Sequence, residues 1–356
     1  MMRILRRRRA TGYPEDALAA ARDLVKARNH LDAIRLLTEA NRVQRDRRIE
    51  RRLVELRFEA FRANGSPGSP TVRDEDVEDL FPGALIPEIG REDLTVETVR
   101  SAIQHHGSLL VRGLVDRDHC DRLIRDIDTA IEAYDAQATG EHRPDVEGWY
   151  VPIEMHHVSD DVRAQKRKVG SILAVESPPT LFDIIEILNE VGVGALARDY
   201  LAEPPAILAR KVTLRQTPRT ASGAWHQDGA FMGLDLRALN VWLALTHCGD
   251  DAPSLDVVGR RLDHIVRPGG ASKAYAVSAE AAEEVAAGTI VRPIFDPGDA
   301  LIFDHLCLHR TGKDKGMEHG RYAVETWLMA PSSYSAMTSP AEQRYFQPDD
   351  QVPLVF

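Results

Sequence analysis

Trp225-His226-Gln227-Asp228-Gly229 sets an imidazole and a carboxylate two residues apart, after a strand-like run from Ile207 to Thr217 and a Pro/Ser/Gly loop from Pro218 to Gly223. A second imidazole lies far downstream, His309 in Phe303-Asp304-His305-Leu306-Cys307-Leu308-His309-Arg310-Thr311. Two imidazoles and one carboxylate hold non-haem Fe(II) on one face and leave the opposite positions open. Zinc accepts the same donors. A His-x-Asp pair alone recurs by chance, so the surrounding pattern has to carry the reading. Leu239 to Leu245 is a second strand-like run, and the turn Asp296-Pro297-Gly298-Asp299 introduces a third, expected from Asp299 to Leu308 and closed by His309. Ligands at loop edges of a rigid β scaffold are where a metal site is expected.

Four segments occur in a fixed order: WHQDGAF from Trp225, LNVWLAL from Leu239, PGDALIFDHLCLHRTG from Pro297 and RYAVETWLMAP from Arg321. On these motifs the chain, over roughly Asp79 to Pro331, resembles the phytanoyl-CoA dioxygenase-like branch of the Fe(II)/2-oxoglutarate-dependent oxygenases. The resemblance implies a mainly β fold with helices: a double-stranded β-helix (jelly-roll, cupin-like) core, with iron at its mouth and 2-oxoglutarate deeper inside. It implies His226, Asp228 and His309 as the iron ligands. It further implies an oxidoreductase that consumes O2 and 2-oxoglutarate, hydroxylates a small organic substrate, and releases succinate and CO2. Iron halogenases resembling this family replace the carboxylate ligand with a small residue; Asp228 keeps it, which implies hydroxylation, or else desaturation or cyclisation, rather than halogenation.

A dicarboxylate buried in a barrel needs a fixed cation, and a guanidinium offers it two parallel donors. Arg321 stands where the family's 2-oxoglutarate arginine lies, Thr311 matches a hydroxyl that helps bind the same carboxylate, and Trp242 matches an aromatic lining the pocket. Lys211, Thr213 and Arg215 alternate on one side of the preceding strand and are further candidate donors, with Lys168 a weaker one. Ala323 departs from relatives that carry a hydroxyl close after the arginine.

Rival ligands exist. His305 and Cys307 share strand parity with His309 if the strand stays regular. His309 is preferred because Arg310-Thr311-Gly312 leaves the strand there, in the manner of the family's His-x-Ser/Thr. His142, His156 and His157, in an aperiodic stretch from Glu141 to Asp161, read as solvent or lid residues. His247, His264 and His319 read as surface or core polar groups. A cupin-like metal-binding protein without catalysis and a metal-dependent hydrolase are the alternative readings; an intact Arg321 with Thr311 speaks against the first.

With 356 residues, 43% of them apolar, the chain suits one large domain and a small appendage. A net charge of −10 argues against nucleic acid as a partner, because phosphate binding runs on basic patches. The odd, widely spaced Cys120, Cys248 and Cys307 argue for a reducing compartment, by default the cytoplasm. Arg6 to Arg9 precede no apolar segment, and no stretch approaches a membrane span. Residues 1–64 read as a helical segment: Pro14 with Glu15 and Asp16 opens a helix, Asn29 breaks it, and Asn64-Gly65 ends the third helix. It weakly resembles a tetratricopeptide pair, and is expected to be a cap on the catalytic domain or a contact for a partner or second copy. Residues 65–78, with Gly65-Ser66-Pro67-Gly68-Ser69-Pro70, read as a linker, and 79–356 as the oxygenase domain. The helix from Asp116 to Tyr134 shows one apolar face, and Leu181 to Asp199 reads as a single amphipathic helix.

Overall fold

A computed structural model describes residues 13–64, 77–155, 158–269, 275–334 and 353–356. The proposed linker residues 65–76, together with His156 and His157, lie outside them. The chain opens with helices α1 (Tyr13–Lys26), α2 (His30–Val43) and α3 (Arg47–Asn64). Strand β1 (Glu88–Gly90), helix α4 (Val96–His106), β2 (Ser108–Arg112) and the long α5 (Arg117–Thr139) follow. Then come α6 (Asp160–Lys168), β3 (Ser171–Leu173), α7 (Pro178–Glu190), α8 (Val193–Leu201), β4 (Ala206–Leu208) and β5 (Thr213–Thr217). The remainder is α9 (Gly229–Met232), β6 (Ala238–Ala244), β7 (Ser254–Val258), α10 (Ala279–Ala286), β8 (Ile290–Val291), β9 (Ala300–Phe303), β10 (His309–Gly312), β11 (Arg321–Met329) and β12 (Pro353–Val355).

The strands form the double-stranded β-helix. A nine-stranded sheet runs β1-β2-β9-β6-β11-β4-β12, with β5 also on β11 and β3 on β5; a three-stranded sheet, β10-β7-β8, faces it. Alternation along each strand decides what meets what. On β6, Leu239, Val241 and Leu243 point to α5 and α7 in the larger core, while Ala238, Trp242 and Ala244 point into the barrel with Phe303, Trp327, Leu255 and Val257. Gly298 makes the turn into β9 possible: its φ is 96°, and a Cβ there would lie 2.0 Å from the Val115 carbonyl oxygen.

Three expected elements are shortened or interrupted. The run expected from Asp299 to Leu308 ends at Phe303, because Asp304 turns the chain: its Oδ1 accepts from Leu306 N and its carbonyl from Cys307 N. His309 therefore opens β10 in the other sheet, and the parity argument linking it to His305 and Cys307 lapses. The helix expected from Leu181 to Asp199 is two, broken at Gly192, whose φ is 83°. Likewise the run from Ile207 to Thr217 is interrupted by a 3-10 turn at Ala209–Lys211.

The N-terminal helices pack directly against the rest of the described chain. Phe182 of α7 enters their core, α3 contributes Val54 and Phe58 to the large core, and Phe61 reaches the barrel cluster. Arg57 donates to the Val355 carbonyl (2.9 Å), Arg45 pairs with Asp183 (2.6 Å), and Arg47 lies 4.2 Å from the Trp149 ring centroid.

Candidate metal and co-substrate site

His226 and His309, distant in sequence, face each other across an antiparallel bridge in which each backbone N–H donates to the other's carbonyl at 3.0 Å. Their rings lie 4.5 Å apart between centroids. His226 Nδ1 donates to the Ala224 carbonyl (2.9 Å) and His309 Nδ1 to the Cys307 carbonyl (3.0 Å). Those bonds fix the tautomer and leave each Nε2 as a bare lone pair, the form a metal takes. Burial and the adjacent His309 push the His226 imidazole down to about 4, so it stays neutral at physiological pH.

Asp228 is buried, and its Oδ1 lies 4.0 Å from His226 Nε2. Oδ1 accepts from Lys211 Nζ at 2.9 Å, whereas Oδ2 is buried with no hydrogen-bond partner. An orphaned buried carboxylate oxygen is costly, and a cation is the partner that removes the cost. Burial raises the Asp228 carboxyl, but Lys211 and the two histidines outweigh it and hold the group below the usual range, as a ligand must be. The donor set fits Fe(II). Among the described residues, the tightest cluster of ligand atoms is elsewhere: His247, Asp250 and Asp251, all within 4.8 Å of one another. That His247 is on an exposed loop and spends its nitrogens on Asp296 and Asp250 at 2.8 Å each.

Gln227, between the two candidate ligands, carries a role its position in the motif does not announce. Its Nε2 donates to the carbonyls of His264 (2.9 Å) and Leu306 (2.7 Å), and its Oε1 accepts from Val266 N (2.7 Å). It thereby ties the ligand loop to two neighbouring loops. His305 is part of the same scaffold: its Nε2 donates to the Leu234 carbonyl (2.9 Å), and its own carbonyl accepts from Gly229 N (2.8 Å).

Inside the barrel Arg321 is almost fully buried. Nη1 donates to the Pro253 carbonyl (2.8 Å), Nε has no hydrogen-bond partner, and the guanidinium lies 4.8 Å from the Trp242 ring centroid. Burial pushes it down to about 10, leaving it charged at neutral pH. Thr311 pairs with Leu255 and His309 with Val257, so both project from the face of β10 that looks into the barrel.

The other candidate donors are engaged. Thr213 Oγ1 donates to Glu325 Oε2 (3.1 Å), Arg215 binds the same oxygen through Nε (3.2 Å) and Nη2, and Trp327 Nε1 donates to Glu325 Oε1 (3.2 Å). Lys211, in the 3-10 turn, does not continue their alternation and reaches Asp228 instead. Burial raises the Glu325 carboxyl, yet Arg215 and Lys211 more than reverse this and hold it far below the usual range. Glu325 escapes the sequence reading, although a lone acid inside the apolar run Ala323 to Met329 is its signal.

Residues 103–319, more than half of the chain, match the family model described as phytanoyl-CoA dioxygenase (PhyH). The comparison with curated proteins returns no match. Among solved structures, similarity extends to EctD from S. alaskensis with 2-oxoglutarate and 5-hydroxyectoine, at 17% identity over 67% of this chain and 78% of that one, TM-score 0.45. The α-ketoglutarate-dependent carbocyclase SnoK from nogalamycin biosynthesis is similar at 12% identity over 76% and 98%, TM-score 0.47. EvdO2 from Micromonospora carbonacea var. aurantiaca, complexed with 2-oxoglutarate, is similar at 15% identity over 65% and 89%, TM-score 0.39. With its family match spanning both histidines and the aspartate, the chain belongs to the phytanoyl-CoA dioxygenase (PhyH) family of iron- and 2-oxoglutarate-dependent oxygenases.

Proposed function

We propose that this oxygenase hydroxylates a small organic substrate, consuming O2 and 2-oxoglutarate and releasing succinate and CO2, at iron held by His226, Asp228 and His309. The observation that carries the reading is Asp228, with Oδ1 4.0 Å from His226 Nε2 and Oδ2 buried without a hydrogen-bond partner, together with the adjacent His226 and His309 rings, whose Nδ1 atoms are already committed. Iron, when bound, supplies the redox chemistry that activates O2 and oxidises a C–H bond.

The chain's own residues do the positioning. Lys211 donates to one carboxylate oxygen of Asp228 and leaves the other without a hydrogen bond, available to the metal. Arg321, oriented on Trp242, takes the far carboxylate of 2-oxoglutarate, with Thr311 on the same interior face. Thr213 and Arg215 contribute by fixing Glu325 in the pocket wall, since that carboxylate already takes their donors. No side chain has to act as a general acid or base. Residues 79–356 carry all of these groups; residues 1–64 dock on them and offer the contact surface for a partner or second copy. The three buried free cysteines fit a cytoplasmic protein, and among the described residues no helix is long and apolar enough to cross a membrane.

Turnover under ¹⁸O2 with chloride present tests the reaction type once candidate small molecules are screened. The expected result is label in both succinate and an alcohol product. A chlorinated product, or product formed without succinate, contradicts the proposal.

A further inference from the structure

Asn240 is fully buried on β6, and neither its Oδ1 nor its Nδ2 is hydrogen bonded to any other group of the described protein. Register places it directly opposite Trp327 of β11 and Phe303 of β9. All three side chains therefore share the face that looks into the barrel, where their neighbours are apolar. A primary amide left bare in such surroundings loses its hydration and gains nothing, so a site of this kind persists where something else completes it.

The same register says what that partner is near. The Phe303 ring packs 5.0 Å from the ring of His309, so Asn240 stands at the metal end of the barrel interior. Trp242, two residues along the same face, carries the Arg321 guanidinium. Two residues of strand span about 6.6 Å, comparable to the length of a five-carbon dicarboxylate. We infer that Asn240 is a co-substrate-positioning residue: its amide N–H groups donate to the keto-acid end of 2-oxoglutarate while Arg321 holds the far carboxylate. The inference rests on the assignment of Arg321 above. It goes beyond that assignment by giving the pocket a second, neutral anchor. An amide suits the keto-acid end because its two hydrogens face an acceptor-only group, and it adds no charge beside Asp228.

The test compares Asn240→Leu and Asn240→Ala with the natural chain, measuring binding and stability apart from turnover. Anaerobic titration of the Fe(II)-loaded protein with 2-oxoglutarate is expected to show a dissociation constant raised about 10-fold or more in both variants. Fe(II) affinity measured without 2-oxoglutarate is expected to stay unchanged. Melting of the metal-free protein is expected to be unchanged or higher for Asn240→Leu, because an apolar group of similar size replaces an unsatisfied amide. Unchanged 2-oxoglutarate affinity in either variant overturns the inference, as does a loss of metal-free stability in Asn240→Leu, which would make Asn240 a structural group. If the natural chain binds Fe(II) but no 2-oxoglutarate, the co-substrate reading itself fails, a result distinct from either.

Discussion

Lys211, partly buried, and Arg321, buried, are two cations with different duties, and the difference is set by what each already touches. Lys211 is spent on Asp228, whereas Arg321 has one backbone acceptor and an aromatic face and keeps donors for an incoming anion. Arg321→Ala is therefore expected to raise the 2-oxoglutarate dissociation constant by about 10- to 100-fold, the loss of a charge-assisted contact. Fe(II) affinity without 2-oxoglutarate should hold. Parallel titrations of metal and co-substrate check this, and equal weakening of both would assign Arg321 to the fold. At this scale the proposed ligands were readable in sequence because His-x-Asp and a distant His occur with four ordered motifs. The partners of Thr213 and Arg215 were not, since only strand pairing brings Glu325 of β11 beside β5. Asn240 was hidden for a related reason: Leu239-Asn240-Val241-Trp242 shows an alternation but not which face lacks partners.

Among elements, the junction of α5, α7 and the α2–α3 hairpin carries a strongly displaced ionisation away from the site. Asp126 of α5 is buried with an unpartnered Oδ2, and Asp183 of α7 takes Arg45 at 2.6 Å. Burial first, then the facing Asp183, pushes the Asp126 carboxyl up to about 7, against the pull of Arg45 and Arg122. A carboxyl raised by folding stabilises the native state fully below its ordinary value, and that contribution drains away as pH climbs through the raised one. The window thus runs from about pH 4 to 7. Asp126→Asn should remove this slope and leave the variant more stable than the natural chain at pH 8, by about 1–2 kcal/mol once solvent screening is allowed for. Urea midpoints at pH 5 and 8 measure it; equal slopes for both proteins would contradict the assignment. Helix α5 was legible from its apolar face, but the pairing of two carboxylates across α5 and α7 is a tertiary fact. The break of the expected helix at Gly192 was foreshadowed only by two glycines, Gly192 and Gly194, among apolar residues.

For the molecule as a whole, the jelly-roll was legible through the four ordered motifs that resemble the family, and the helical start through its apolar spacing and helix-end residues. What sequence left out is how closely they join. Phe61 of α3 sits in the barrel cluster against Tyr334, ring centroids 5.5 Å apart, so the N-terminal helices form part of the wall behind the site. Because β9 ends at Phe303, His309 falls in the small sheet, where it pairs with His226; the meeting of the two sheets brings the proposed ligands together. Anaerobic titration with Fe(II) and then 2-oxoglutarate, followed by the weak visible charge-transfer band of the chelate, tests that arrangement most directly. The natural chain and His305→Ala should develop the band, and His226→Ala, Asp228→Ala and His309→Ala should not. A band that survives His309→Ala and disappears with His305→Ala would contradict the account.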